Sequence, residues 1–286
     1  MYKILNKQIF CNTIISFEIF APNIIKNAKA GQFVIIRNLT GGERIPLTIA
    51  GINYERKGIK VIFQIVGQST MKLASLSVGD YITDILGPLG NPTQIRLYGT
   101  IVAIAGGIGI AEIVPVLKNF KQIGNKIITL VGVKSKNFII LEHELKQVSD
   151  SLLFSTNDGS YGRKGFVTDM LNEILPKVKI DMVYAVGPLL MMKNIAAMTK
   201  MKQIKTIVSM NTIMLDGTGM CGSCRLTVHN KTKFVCTDGP EFDAHSINWD
   251  EAISRLTTFS NFETIAYNNY KSNKECQCHM KLGMTK

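Results

Sequence analysis

Over residues 1–97 the apolar positions fall in short β-branched runs, at 12–20, 32–37, 59–66 and 81–86. Polar turns separate these runs, punctuated by Gly31, Gly41, Gly42, Gly58, Gly79 and Gly87. Such runs predict antiparallel strands, and their spacing predicts a small β-barrel.

The pattern changes near Gly99. Residues 101–105 are apolar without a break, as in a strand buried on both faces. A glycine loop follows, then a helical stretch through Lys121. Strands at 126–133, 152–155, 182–186 and 206–210 then alternate with helices at 141–148, 167–175 and 189–198. That alternation predicts a parallel sheet with helices on both faces. Residues 211–250 break the pattern again, being rich in Gly, Cys and Asp. A segment of that kind is usually held by a metal centre. From Glu251 the chain reads as a helix ending in a polar, basic tail. Four segments result: a barrel (1–97), an α/β domain (98–210), a cysteine subdomain (211–250) and a C-terminal helix and tail (251–286).

Composition narrows the class. A chain of 286 residues with 46% hydrophobic content accommodates two compact domains and a small appendage. The longest charge-free apolar stretch, 97–111, is too short to span a bilayer. Lys3, Lys7 and Glu18 interrupt any signal-peptide core, so a cytoplasmic protein without membrane contact is expected. The net charge of +12 raises nucleic acid as a partner. The lysines are scattered, however, and no aromatic-basic stripe accompanies them. Anionic dinucleotides or an acidic redox partner suit the surface better.

The sharpest chemical signal is Asp216-Gly217-Thr218-Gly219-Met220-Cys221-Gly222-Ser223-Cys224, with Cys236 beyond it. Plant-type [2Fe–2S] sites space their ligands as Cys-x4-Cys-x2-Cys with a distant fourth Cys. Here the spacing is kept and Asp216 stands in the first position. A carboxylate oxygen is a harder ligand than a thiolate. A zinc site built from Cys221, Cys224, Cys236 and His229 or His245 is an alternative, and Asp216 as a plain turn residue is another. Cys276 and Cys278, next to His279, read as exposed thiols of a frayed terminus.

Gly106-Gly107-Ile108-Gly109 joins a buried strand to a helix, where backbone N–H groups suit a pyrophosphate. Glu112 takes the place of the third glycine of the usual dinucleotide fingerprint, and Lys134, Ser135 and Lys136 follow the second strand in place of an acid. Tight strand-to-helix packing explains the loop equally well. Asn157–Gly162 and Gly187-Pro188 fall at further strand ends, where open α/β sheets bind ligands. In the barrel, Arg44-Ile45-Pro46-Leu47-Thr48 offers a cation and a hydroxyl, and Gly67-Gln68-Ser69-Thr70 offers small residues and hydroxyls. Either segment alone is also an ordinary loop.

Together, Glu43–Ala50, Asp158–Gly162 and Asp216–Gly222 resemble the ferredoxin-reductase-like family over roughly residues 1–260. They are most similar to its small subunits of NADH-dependent reduced ferredoxin:NADP⁺ oxidoreductases, also known as sulfide dehydrogenase β subunits. The resemblance implies an FAD-binding barrel, an NAD(P)-binding domain and a [2Fe–2S] subdomain. It implies Arg44 on the FAD pyrophosphate, Pro46, Leu47 and Thr48 along the isoalloxazine, and Gly67, Ser69 and Thr70 at the phosphate-adenine end. Gly107, Gly109, Asp158 and Gly187 would meet NAD(H) or NADP(H). Asp216, Cys221, Cys224 and Cys236 would hold the cluster. It further implies a larger flavin- and [4Fe–4S]-containing partner subunit, and ferredoxin reached through that complex by electron bifurcation. The electron-transfer subunits of NAD-dependent dihydroorotate dehydrogenases are similar in both domains but carry four cluster cysteines. Hydride transfer to a flavin needs no acid–base residue, so none is assigned. A zinc-bearing interaction module and a nucleic-acid binder are the readings from other classes.

Overall fold

The computed structural model describes residues 1–38 and 42–281, and side chains through Ser272. Cys276, Cys278 and His279 therefore lie outside the described side chains. The chain begins with β1 (Tyr2–Cys11), β2 (Ile14–Phe20), α1 (Pro22–Ile25), β3 (Phe33–Arg37), β4 (Arg44–Asn53), β5 (Gly58–Gln64), α2 (Gln68–Ala74), β6 (Tyr81–Ile82) and β7 (Asp84–Leu89). Their antiparallel sheet runs β6-β1-β2-β5-β4-β3-β7. The two edge strands, β6 and β7, are separated in sequence by Thr83 alone, so the sheet curls nearly shut into a barrel. Tyr2 supports the closure by donating its hydroxyl to the Ile85 carbonyl (3.1 Å). Closure leaves little open edge. Alternate residues fill the interior: Phe17 and Ile19, Val34 and Ile36, Ile59, Val61 and Phe63. Phe17 and Phe63 meet edge to face at 5.4 Å.

Two barrel strands were not anticipated. In β1 the lysines and Asn6 break the apolar run, and Ile4 is its one fully buried residue. In β4 the Arg44–Thr48 motif is itself strand, half-exposed along its length, and so lacks a strong apolar pattern. The Gly67–Thr70 segment caps and opens α2.

The second layer consists of β8 (Thr100–Gly106), α3 (Ile110–Gln122), β9 (Lys126–Val133), α4 (Glu142–Val148), β10 (Ser151–Thr156), β11 (Arg163–Lys164), α5 (Val167–Ile174), β12 (Met182–Val186), α6 (Leu189–Lys200) and β13 (Thr206–Ser209). The cysteine segment then contributes β14 (Arg225–Val228), β15 (Lys231–Phe234), α7 (Val235–Asp238) and β16 (Glu241–Asp243), before α8 (Trp249–Leu256) and α9 (Ser260–Lys281). Strand order is β11-β10-β9-β8-β12-β13-β16, parallel throughout except that β16 runs antiparallel to β13. From β8 the chain winds outward through β9 and β10, then returns to β12 and β13 on the other side. The switch point therefore lies between β8 and β12, at the Gly106–Gly109 loop.

One face of this sheet packs on α3 and α4 (Ile101, Ala103, Ile113, Leu117 and Tyr184). The other packs on α5, α6 and the cysteine segment, whose Cys224, Leu226, Val235 and Cys236 share a core with Val102, Val183 and Val208. Phe33 and Ile35, from the outward face of β3, enter that same core. The cysteine segment is thus clamped between the sheet and the barrel wall. Among the described residues, no helix is long and apolar enough to cross a membrane.

Candidate functional site

Strand β4 is the hinge of the site. At its start, Arg44 reaches the Leu215 carbonyl, one residue before Asp216 (3.5 Å). Four residues on, Thr48 donates to Glu112 Oε2 of α3, three residues past Gly109 (3.1 Å). Four residues of strand span about 13 Å. The Arg44–Thr48 motif therefore touches the cysteine loop at one end and the helix that opens from the glycine loop at the other. Between them, Pro46 pairs in register with Ile35. Ile35 also bears on the cysteine loop, since a Cβ added to Gly217 (φ +78°) would lie 2.5 Å from Ile35 Cδ1. Only glycine lets the loop approach the barrel this closely.

Within the cysteine segment, Cys224 and Cys236 are buried with their sulfurs 3.2 Å apart. Burial, then the Cys224 thiol, pushes the Cys236 thiol up to about 12. Such a thiol becomes a thiolate readily only when a metal neutralises it. Cys221 is exposed and accepts the Ser223 N–H at its sulfur (3.5 Å). Asp216 accepts the Thr218 N–H at Oδ1 (2.8 Å) and the Cys221 N–H at Oδ2 (2.7 Å). The Thr218 bond above all holds its carboxyl below the usual carboxylate range. Asp216 is thus both ionised and a turn-maker, and each oxygen retains a lone pair for a metal.

The donor set fits a two-iron cluster better than one ion. The donors stand as two pairs, Cys224 with Cys236 through their sulfurs and Asp216 with Cys221 through the Cys221 N–H. Thiolates on one tetrahedral metal lie about 3.7 Å apart, so the first pair need open by only about half an ångström. His245 faces away, with Nε2 3.0 Å from Thr199 Oγ1. His229 sits at the β14–β15 turn with φ 49°.

The nucleotide end has the complementary shape. A Cβ on Gly107 (φ +55°) would meet nothing within 4 Å, so open space lies beside this backbone. A Cβ on Gly109 would lie 2.5 Å from the Val186 carbonyl oxygen, and one on Gly187 would lie 2.9 Å from Gly106 Cα. The ends of β8 and β12 are thus drawn together beneath an open lip. At the next strand ends, the Ser160 hydroxyl donates to Asp158 (2.6 Å) and accepts from the Lys136 N–H (2.8 Å). The Ser160 hydroxyl, above all, holds the Asp158 carboxyl below its usual range. In the barrel, a Cβ on Gly67 would also meet nothing within 4 Å. Thr70 commits its hydroxyl to the N–H groups of Val66 and Gly67, so it shapes the loop, while Ser69 pairs with Glu43. These open, glycine-lined strand and helix ends suit FAD phosphates and a nicotinamide nucleotide.

Sequence reading missed Glu112 as a site residue, noting it only as a break in the glycine fingerprint. Its Oε1 is closed off from solvent and has no partner. Burial above all raises its carboxyl from 4.5 to about 7. An acid in place of a glycine, directly after a buried strand and loop, was the available signal.

Residues 211–248 match the profile of the iron-sulfur cluster binding domain of dihydroorotate dehydrogenase B. A dihydroorotate dehydrogenase B (NAD(+)) electron transfer subunit homolog from Thermotoga maritima is 41% identical over 94% of this chain and 95% of its own length. The corresponding electron transfer subunit of Desulforamulus reducens is 30% identical over 82% of this chain and 92% of its own. Among solved structures, an NADH-dependent reduced ferredoxin-NADP oxidoreductase superposes with a TM-score of 0.89. It is 40% identical over 94% of this chain and 98% of its own. A ferredoxin NADP+ reductase from Neisseria gonorrhoeae with bound FAD and NADP shares the fold, with a TM-score of 0.58, at 18% identity over 71% of this chain and 90% of its own. The chain belongs to the ferredoxin-reductase-like family, together with the electron transfer subunits of dihydroorotate dehydrogenase B and their homologues.

Proposed function

We propose that the chain is the electron-transferring subunit of a ferredoxin:NADP⁺ oxidoreductase complex, passing electrons between NAD(H), FAD and a [2Fe–2S] cluster. The observation that carries this reading is the double contact of β4, with the cysteine loop through Arg44 and with α3 through Thr48. A flavin laid on that strand lies between a hydride donor and a one-electron acceptor. Bound flavin supplies the conversion between two-electron and one-electron chemistry.

The chain's own residues bind, orient and insulate. In the barrel (1–97), Arg44 neutralises the FAD pyrophosphate, Pro46, Leu47 and Thr48 border the ring, and Gly67, Ser69 and Thr70 shape the phosphate-adenine end. In the α/β domain (98–210), Gly107, Gly109 and Gly187 make room for the nicotinamide nucleotide, with Asp158 at its rim. In the cysteine subdomain (211–250), Asp216, Cys221, Cys224 and Cys236 hold the cluster. The relatives are electron transfer subunits, so a partner subunit belongs to the reading. We assign it as a larger flavin- and [4Fe–4S]-containing chain through which ferredoxin is reached.

The names of the relatives favour a second reading, the electron transfer subunit of an NAD-dependent dihydroorotate dehydrogenase. Asp216 in the first ligand position favours the first reading. Anaerobic titration of the purified chain with NADH tests both at their root. Bleaching of flavin and cluster bands together is expected, and a colourless protein inert to NADH would refute both. Addition of dihydroorotate to the natively purified complex separates them, since only the second reading expects it to be oxidised.

A further inference from the structure

Glu112 suits the first turn of α3 by charge, but its burial calls for an account. It stands in a helix start pressed against a parallel sheet, it is half-buried overall, and its Oε1 is sealed from water without a partner. An unpaired buried carboxylate oxygen is unfavourable by several kcal/mol at the extreme, so a carboxyl retained there calls for a reason. Its other oxygen, Oε2, accepts the hydroxyl proton of Thr48.

The surroundings of Glu112 form a line of proton-carrying groups. On its sheet side Glu112 neighbours Ser209, the last residue of β13. Ser209 is the register partner of Glu241 on β16, so their side chains are neighbours on one face. Glu241 Oε1 accepts the Tyr184 hydroxyl (2.7 Å) and, in a short contact, the Thr93 hydroxyl. Lys205, Ile207 and Ser209 alternate onto that same face. Along it opens a cavity of about 230 Å³ whose lining includes Asn91, Lys205, Ile207, Tyr184, Glu241 and Asp243. Thr48, on the strand assigned to the flavin ring, thus bonds Glu112, and Ser209 and Glu241 stand next along the same face, beside a cavity large enough for water.

We propose that Glu112 is a positioning and proton-relay residue, exchanging protons between the flavin edge at Thr48 and the cavity beside Glu241. The proposal rests on the assignment of FAD to β4. Its chemistry balances. Hydride from NADH brings the flavin two electrons and one proton. When the cluster takes the two electrons one at a time, the proton remains. Thr48 accepts that proton as the flavin N–H breaks and passes its own hydroxyl proton to the Glu112 carboxylate. Glu112 then releases a proton through Ser209 and Glu241 to water in the cavity. A relay group works best when its acidity matches the working pH. The ionisable groups facing Glu112 are Glu241 from β16 and Tyr184 from β12, and no basic side chain contributes to its ionisation. Burial followed by Glu241 holds the proton on, which places the exchange near neutrality.

Infrared difference spectroscopy of the chain carrying FAD and cluster, reduced with NADH and reoxidised, tests the relay. A carboxylic-acid carbonyl band that changes as the reduced flavin is reoxidised is expected in the native chain. Glu112→Gln should abolish it, slow flavin-to-cluster transfer about tenfold or more, and flatten the pH profile of that step. Glu112→Asp should restore both band and profile in part. Glu241→Gln leaves Glu112 in place and should keep the band while slowing its shift in deuterated water. An FAD-carrying Glu112→Gln protein that bleaches with NADH and keeps the native band and pH profile overturns the relay and spares the cofactor reading. A native chain that takes up no FAD overturns both.

Discussion

Two carboxylates, Asp216 and Glu112, flank the same strand and have opposite surroundings. Asp216 lies in an exposed loop where two backbone N–H groups point at it, and its carboxyl is held ionised. Glu112 lies in the seam between barrel and sheet, where desolvation outweighs the Thr48 hydroxyl bond and favours the neutral acid. The loop has amides to spare because it is glycine-rich and turns sharply. At Glu112, by contrast, the donor to the carboxyl is the Thr48 hydroxyl, and among the described residues no backbone N–H joins it. One end of β4 thus meets a carboxylate held ionised, and the other a carboxylate that favours its proton.

The contrast breaks most sharply at the cysteine end. Cys236→Ser removes a buried thiol that faces Cys224 at 3.2 Å, and complete loss of cluster iron and of its visible bands is expected. Asp216→Ala removes both the proposed ligand and the acceptor for the Thr218 and Cys221 N–H groups, so iron content should fall severalfold. Asp216→Cys should keep a cluster with a shifted potential. Intact spectra in Asp216→Ala, or an unmoved potential in Asp216→Cys, would show that Asp216 shapes the turn and does not bind iron.

At the other end the expected effect is on stability. The native chain holds a proton on Glu112 between 4.5 and about 7, where an unfolded chain has lost it. The native state binds more protons in that window, so its stability falls as pH rises from 4.5 and levels off above 7. The raised pKa sets an upper bound of about 3 kcal/mol, reduced to about 2 kcal/mol because part of the side chain meets solvent. Glu112→Gln, neutral at every pH, should match the native chain near pH 4.5 and exceed its stability by about that amount at pH 8. Urea melts of the two proteins at both pH values measure it. A native chain with equal stability at pH 4.5 and 8 in this comparison would remove the buried-acid description.

What the sequence disclosed divides along the same line. The parallel sheet was legible because β8 and β12 are apolar throughout, a signal that only strands buried on both faces carry. The cysteine spacing was legible because ligand geometry constrains neighbours in the chain. Strand β1 was hidden by its lysines, and β4 by its half-exposure. The antiparallel β16, three residues long, joins the nucleotide sheet from within the cysteine segment, which has too little periodicity to announce a strand. Glu112 and Thr48 are 64 positions apart, and no local pattern brings them together. Local chemistry was readable, while the seam became visible only after the two domains had packed.

The smallest expected effects concern two glycines of one loop. At Gly109 a Cβ would sit 2.5 Å from a backbone carbonyl oxygen of β12, which cannot swing aside. Gly109→Ala should therefore push α3 off the sheet, lower stability by about 2 kcal/mol and disturb the Thr48–Glu112 contact. At Gly107 a Cβ would meet only open space, and the strain comes from φ +55° alone, about 1 kcal/mol. If that space is where the nucleotide lies, Gly107→Ala should raise the NADH concentration needed for half-maximal flavin bleaching by severalfold more than its small stability loss explains. Equal NADH affinity in Gly107→Ala and native protein would mean that the open lip is not the nucleotide's seat, and that the glycine serves the turn alone.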